Sequence, residues 1–82
     1  MSKTKARNLI KKLSHFRSAQ DSHGALIFTS RESQSRYVKV IMQDESSVVL
    51  PIVVESDGSE RVAFHVKTAK SVVEFLSGKV MS

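Results

Sequence analysis

Residues 48–54 constrain the fold most strongly, because they are apolar at every position of a strand-like run. Successive side chains of a β-strand point to opposite faces of the sheet, so something must cover both faces there. Two coverings are open: a second copy of the chain, or two helices that pack on opposite faces. Pro51 lacks the amide proton that a central ladder requires, which predicts an edge or a bulge at that point.

Three other runs are typical of β-strands, so the sequence predicts a four-stranded antiparallel meander. The four predicted strands are residues 25–30, 36–42, 47–55 and 61–67. Residues 36–42 alternate as a half-buried strand should, with Val38, Val40 and Met42 on one face. The same alternation in the last run predicts that Val62, Phe64 and Val66 point inward. Asp57-Gly58 favours a tight hairpin turn before that run.

Two helices are predicted to flank these strands. Apolar residues recur at three- and four-residue steps from residue 3 to residue 19, and the opposite face is cationic. This pattern indicates a basic amphipathic helix within residues 1–20. Residues 68–77 carry a second apolar stripe, with Thr68 as a suitable cap and Gly78 as a suitable end. The predicted class is therefore α+β, with residues 24–82 forming the sheet and the C-terminal helix.

Positive charge is concentrated in the first half of the chain. Nine of the 13 Lys and Arg residues lie in the first 42 positions beside only two acids, so this half carries +7, whereas residues 43–82 carry −2. Phosphate is the commonest partner of such a cationic surface, so the charge favours nucleic acid as the partner. On charge alone, the alternative is that the cations merely solvate one helix.

The length and the absence of cysteine bear on assembly and location. A single domain of 82 residues has a small core, and no disulfide or thiolate metal site supplements it. We therefore expect a homodimer. No run approaches the ~20 apolar residues of a membrane span, and the basic start lacks the apolar run of a signal peptide. These features predict a soluble, intracellular protein, cytoplasmic or nucleoid-associated, without a membrane partner.

No sequence pattern indicates catalysis. His15, His23 and His65 are too widely spaced for a local metal motif, and the chain has no cysteine. The glycines form no phosphate-binding loop, and no serine lies in a nucleophile elbow. We therefore expect a protein that is not an enzyme and that has no metal site and no cofactor.

The outward face of the predicted sheet is the candidate binding site. Cations on a sheet can follow phosphates while an aromatic ring stacks on bases, which is how proteins hold single strands without reading their sequence. The candidate residues on the second and fourth strands are Arg36, Tyr37, Lys39, Arg61, His65 and Lys67. Arg31 adds a cation between the first two strands. Packing at an interface is an equally good reading of Tyr37.

Part of the chain resembles the single-stranded-DNA-binding domain of the positive cofactor four family of transcriptional coactivators. The resemblance covers residues 35–80 and the strand before them. It rests on three short motifs: Arg36-Tyr37-Val38-Lys39-Val40, Asp57-Gly58, and Arg61 with Phe64-His65-Val66. The stacking aromatics of the family have no counterpart near Gln43 or Val54, which leaves Phe28 and Tyr37 as the candidate stacking residues.

The resemblance implies a curved sheet backed by a helix, with two chains paired through their C-terminal helices. The implied dimer contacts are those of Val72, Val73, Phe75 and Leu76. Single-stranded DNA would then cross the paired sheets, in replication, recombination or transcription. Replacing Lys39 and Arg61 together by alanine is predicted to flatten the salt dependence of binding.

Two other functions stay open at this stage. The basic helix could dock on an acidic protein partner, which would make the chain a small regulator or inhibitor. Structured RNA would use the same cations as DNA. Removing residues 1–19 is predicted to separate the first alternative from DNA binding by the sheet.

Overall fold

The described residues form two short helices and one antiparallel sheet. The structure, a computed structural model, describes residues 2–30, 35–43 and 46–78. Its elements in chain order are α1 (Lys3–Lys12), β1 (Arg17–Gln20), β2 (Leu26–Thr29), β3 (Arg36–Met42), β4 (Ser47–Val54), β5 (Glu60–Val62) and α2 (Ala69–Ser77). The predicted α+β class is confirmed, with five strands in the described residues where four were expected.

The sheet is a meander whose strand order, β1-β2-β3-β4-β5, follows the chain. Every neighbouring pair is antiparallel, and Val38 of β3 lies opposite Phe28 of β2 and Pro51 of β4. The turn at Asp57-Gly58 joins β4 to β5 as predicted, and Gly58 adopts a φ of 87° that other residues rarely tolerate. Strand β5 ends beside Pro51, so no β5 residue lies opposite the proline nitrogen to accept a hydrogen bond. The missing N–H of Pro51 therefore costs the ladder no bond.

The N-terminal helix is shorter than predicted. Helix α1 ends at Lys12, and Leu13 closes it by donating its N–H to the carbonyls of Leu9 and Ile10. Residues 17–20 instead form β1, which pairs with β2. All four β1 side chains are exposed, so the strand is held by backbone pairing and carries no alternating pattern. Phe16, which extended the helical periodicity, packs against the core from the turn that follows the helix.

The prediction of a strand over residues 61–67 is wrong beyond Val62. Strand β5 ends there and the chain turns, with the Val66 N–H donating to the Ala63 carbonyl at 3.1 Å. Ala63 and Val66 are buried, whereas Phe64 is 76% exposed. The alternation of faces applies only while the backbone is extended, which is why Phe64 points outward rather than inward.

Both helices pack on the same face of the sheet. Leu9 and Leu13 of α1 and Phe75 of α2 belong to one core, together with Phe28 and Val38 of the sheet. We call this side the helix-side face and the other side the open face. Of the two coverings that the sequence left open, the one with helices on opposite faces is therefore wrong, whereas coverage by a second copy stays a prediction.

Helix α2 has the predicted boundaries but not the predicted role for its apolar stripe. The Thr68 hydroxyl accepts a hydrogen bond from the Ser71 N–H, the Ser71 hydroxyl accepts one from the Thr68 N–H, and Gly78 ends the helix in the left-handed region. The implied dimer contacts Val72, Phe75 and Leu76 are at most 2% exposed within their own chain, and Val73 is partly buried against the same core. Burial in one chain already accounts for this stripe, so it is not a free dimer surface.

Candidate nucleic-acid interface

The structure does not bring the predicted sheet-face residues together. Tyr37 and Lys39 lie on the open face, because they alternate with the buried residues Val38 and Val40. Arg36 lies on the helix-side face, and Arg61 shares that face because both residues are opposite Val53. The arginines that were expected beside Tyr37 and Lys39 thus point to the other side of the sheet.

Three of the predicted cations already have partners. The Lys39 ammonium lies 3.3 Å from the Asp21 carboxylate, and the Arg61 guanidinium forms an ion pair with Glu55. The Arg36 guanidinium lies over the Phe75 ring, 5.6 Å from its centroid, which is within the range of a cation–π contact. Each contact lowers the availability of the cation for phosphate.

Asp21 is held mainly by the backbone of its own turn. Its carboxylate accepts hydrogen bonds from the N–H groups of Ala25 and His23, both at 2.9 Å. The Ala25 bond is the largest contribution to the lowered pKa of Asp21, and His23 and Lys39 add to it. The carboxylate therefore remains ionised beside Lys39, and the open face gains no net charge from this pair.

The two predicted stacking residues are poorly placed for stacking. Phe28 is 3% exposed and belongs to the core, so its ring cannot meet a base; this part of the prediction is wrong. Tyr37 is partly buried, and its hydroxyl donates a hydrogen bond to Glu60 at 2.8 Å. Burial, with a smaller contribution from this carboxylate, raises the pKa of Tyr37 to about 12.

The ionisation of Tyr37 gives a direct test of its surroundings. Tyr37 is the only tyrosine of the chain, so tyrosinate absorbance reports this one group. We expect a midpoint near pH 12 in the folded protein, against an ordinary value of 10.0. Because the folded pKa is raised, the stability that Tyr37 contributes is present below pH 10 and is lost as the pH rises towards 12. The substitution Glu60→Gln should lower the midpoint only in part, because burial is the larger cause, whereas a folded midpoint at 10 would contradict the burial of the Tyr37 hydroxyl.

The remaining predicted residues lie outside the strands. His65 and Lys67 are exposed in the connection between β5 and α2, and Arg31 falls outside the described residues. Of the predicted set, Lys67 alone joins a cluster of cations among the described residues. It lines a concavity of about 570 Å³ together with Lys5, Asn8 and Lys12 of α1 and with Thr68 and Ala69.

Three concavities follow one another across this part of the surface. Lys67 also lines a concavity of about 380 Å³ at the margin of β4, where the exposed Phe64 ring lies. Asn8 also lines a concavity of about 360 Å³ with Arg7 and Lys11. Because neighbouring concavities share a lining residue, the three lie side by side on the surface. We call the resulting surface the cationic track; its residues are Phe64, Lys67, Lys5, Lys12, Asn8, Arg7 and Lys11.

The cationic track carries unneutralised positive charge. Among the described residues, no Asp or Glu lines any of the three concavities. The two ion pairs found among the described residues involve Lys39 and Arg61, which lie outside the cationic track. The track is therefore a positive surface that is open to an anionic ligand, and it has one exposed aromatic ring at its end.

Most of these cations were recognised from the sequence, but their closeness in the fold was not. Lys5 and Lys12 are seven residues apart in the sequence, which places them on one side of a helix; that spacing was the available signal. Nothing local indicated that Lys67 would join them from beyond the sheet. Phe64 was missed because the strand pattern was extended past the end of β5.

The fold and this surface define a small α+β protein with an open antiparallel sheet, two helices on one of its faces in the described residues, and a basic helical surface. No protein-family model, curated protein or solved structure matches the chain. Neither helix in the described part of the chain has the length and apolar character of a membrane span. In residues 2–30, 35–43 and 46–78, no three His, Asp or Glu side chains lie close enough to hold a metal ion.

Proposed function

We propose that this protein is a non-catalytic, largely sequence-independent single-stranded-DNA-binding protein that holds the strand along the cationic track. The observation that carries the proposal is the sharing of Lys67 and Asn8 between concavities, which places the three side by side from Phe64 to Arg7 and Lys11. The route differs from the sheet-face route expected from the sequence. The protein would serve DNA replication, recombination or transcription.

The chemistry of the track suits a phosphate backbone. The lysine ammonium groups act as mobile point charges that neutralise phosphates without selecting a base. Lys5 and Lys12 project from a helix that is anchored in the core by Ala6 and Leu9, so their backbones are fixed while their side chains follow the strand. Binding of this kind releases counterions and weakens steeply with salt.

Phe64 supports a single strand rather than a duplex as the ligand. Its ring is 76% exposed and lines the same concavity as Lys67. A flipped-out or unpaired base can stack on such a ring, and stacking contributes about 1–3 kcal/mol per base. The bases of a duplex are stacked on one another. A duplex therefore offers phosphates to the lysines but no exposed base on which the Phe64 ring could stack.

Two double variants that remove equal charge test the route of the strand. Fluorescence anisotropy with a labelled strand of mixed sequence should be measured at two salt concentrations. For Lys5→Ala with Lys12→Ala we expect the salt slope to fall by about 1.4, because each phosphate contact to a single strand contributes ~0.7. The matched control, Lys39→Ala with Arg61→Ala, should change the slope little, because both of its cations are already paired.

The outcomes of this comparison separate the two routes. Equal loss in both variants would mean that only net charge matters, and loss confined to the control would restore the sheet-face route. The same titrations with a duplex and with an RNA strand identify the preferred nucleic acid. Phe64→Leu should weaken binding of single strands more than binding of the duplex; equal weakening would remove the stacking role.

An acidic protein partner is the second candidate function. The observation that favours it is that Arg7 and Lys11 line a concavity on the helix itself, where an acidic segment could dock without contacting Phe64. Such a partner would need the α1 cations but not the aromatic ring. The absence of binding to any nucleic acid at low salt, with the protein folded, would favour this function.

A further inference from the structure

The open face of the sheet is apolar around β4 although no described element covers it. Residues of β4 at alternate positions point to this face, and their neighbours on β3 and β5 add to it. The apolar set is Ile41, Val48, Leu50, Ile52, Val54 and Val62. Ile52 is only 8% exposed although it does not belong to the core on the helix-side face, so these side chains already bury one another.

The charges of the open face lie around its apolar centre. Lys39 is paired with Asp21, and the Tyr37 hydroxyl donates a hydrogen bond to Glu60. Arg17 on β1 and Glu60 on β5 are exposed in the two outer strands of the sheet. An apolar centre with a polar rim is the usual layout of a protein–protein interface, and it fits a second copy of the same face because the charges of both copies stay at the rim.

The size of the open face fits a weak pair of copies. Its five strands hold 4, 4, 7, 8 and 3 residues. At a spacing of about 4.8 Å between strands and about 3.4 Å per residue, these strands give a flat projection of roughly 420 Å², and their side chains raise the accessible area above that value. A specific interface of standard size needs about 800 Å² from each partner, so a face-to-face pair falls at the small end, as in a weak dimer, whereas a short peptide would cover only part of the face.

We propose that the protein forms a twofold dimer by packing the open faces of two chains against each other around β4. Two antiparallel sheets then form a sandwich, in which apolar side chains from each copy interdigitate. In a twofold contact the same patch serves on both chains, so the apolar row of β4 meets its own copy. Helix α2 stays inside each chain, in contrast to the helix-mediated dimer implied by the family resemblance.

Two substitutions at one hairpin test this interface. Val48 on the open face is 37% exposed, and Met42 on the helix-side face is 40% exposed; they occupy neighbouring pairs in the β3–β4 ladder. Val48→Asp places an unpaired carboxylate in the interface twice, and we expect the dimer dissociation constant to rise about 100-fold or more. Met42→Asp should leave it unchanged. Sedimentation equilibrium measures the mass against the 9.1 kDa of one chain.

The wild-type chain provides a second measurement that needs no variant. Tyr37 lies on the open face and the chain has no tryptophan. Quenching of tyrosine fluorescence by acrylamide therefore reports how far this face is shielded from solvent. Quenching should fall as the protein concentration rises into the range where the dimer forms. A wild-type chain that stays monomeric from micromolar to millimolar concentration overturns the proposal, as does equal dissociation of both variants. Neither readout depends on whether nucleic acid binds.

Discussion

A chain without residues 1–19 is expected to be unfolded in buffer. Leu9 and Leu13 are each 0% exposed, and they pack in the same core as Phe75 and Leu76 of α2. Replacing a single buried leucine by alanine lowers the free energy of unfolding by about 2–5 kcal/mol. The whole stability of a small domain is about 5–15 kcal/mol, so the loss of both leucines with their helix removes most of it. Far-ultraviolet circular dichroism and urea denaturation measure the result.

Point substitutions in α1 provide the control for this truncation. Leu9→Ala should lower the free energy of unfolding by about 2–5 kcal/mol, whereas Lys11→Ala, on the exposed side of the same helix, should change it by less than about 0.5 kcal/mol. Cooperative unfolding of the truncated chain at the wild-type urea midpoint would contradict the role of α1 in the core. Because we expect unfolding, deletion of residues 1–19 cannot separate binding by the helix from binding by the sheet, and surface lysine substitutions are needed instead.

The second large effect is expected for Phe75→Ala, which should lower the free energy of unfolding by about 3–5 kcal/mol. Phe75 is 2% exposed, and its removal leaves a cavity between α2 and the sheet. The Arg36 guanidinium, 5.6 Å from the ring centroid, also loses its aromatic contact. Urea denaturation at several protein concentrations should show the loss at each of them, because the ring is buried within one chain.

Phe64→Ala is the matched control, since it removes the same ring from a site that is 76% exposed. Its effect on the free energy of unfolding should stay within about 0.5 kcal/mol. Similar urea midpoints for the two variants would show that Phe75 is not a core residue. A loss for Phe75→Ala that appears only at concentrations where a dimer forms would return α2 to the dimer interface.

Regular, half-buried elements were predictable from the sequence. The bounds of β3 and α2 were predicted closely because their side chains alternate or recur with one clear period, and because Thr68 and Gly78 mark the ends of α2. The fully exposed strand β1 was not predictable in this way. Its pairing uses backbone groups at the free edge of β2, and no side-chain pattern records such pairing.

The candidate site was harder to predict than the fold, because it depends on which face each residue occupies. Arg36 and Tyr37 are adjacent in the sequence and for that reason lie on opposite faces of β3. Lys67 reaches Lys5 and Lys12 only because α1 and α2 pack on the same face of the sheet. Tertiary packing sets that arrangement, because the apolar stripe of each helix could pack on either face of the sheet.

The order of the strands bears on how the chain acquires its structure. Each strand pairs with the next one along the chain, so short loops close first and little chain entropy is lost for each new hairpin. The contact between α1 and α2 closes a far longer loop. During synthesis, which proceeds from the N-terminus, α1 emerges before every strand, and the core around its leucines stays incomplete until α2 follows the last strand. A helix rich in lysine is well suited to this stage of folding, because its charge keeps the incompletely folded chain hydrated and repels other nascent chains.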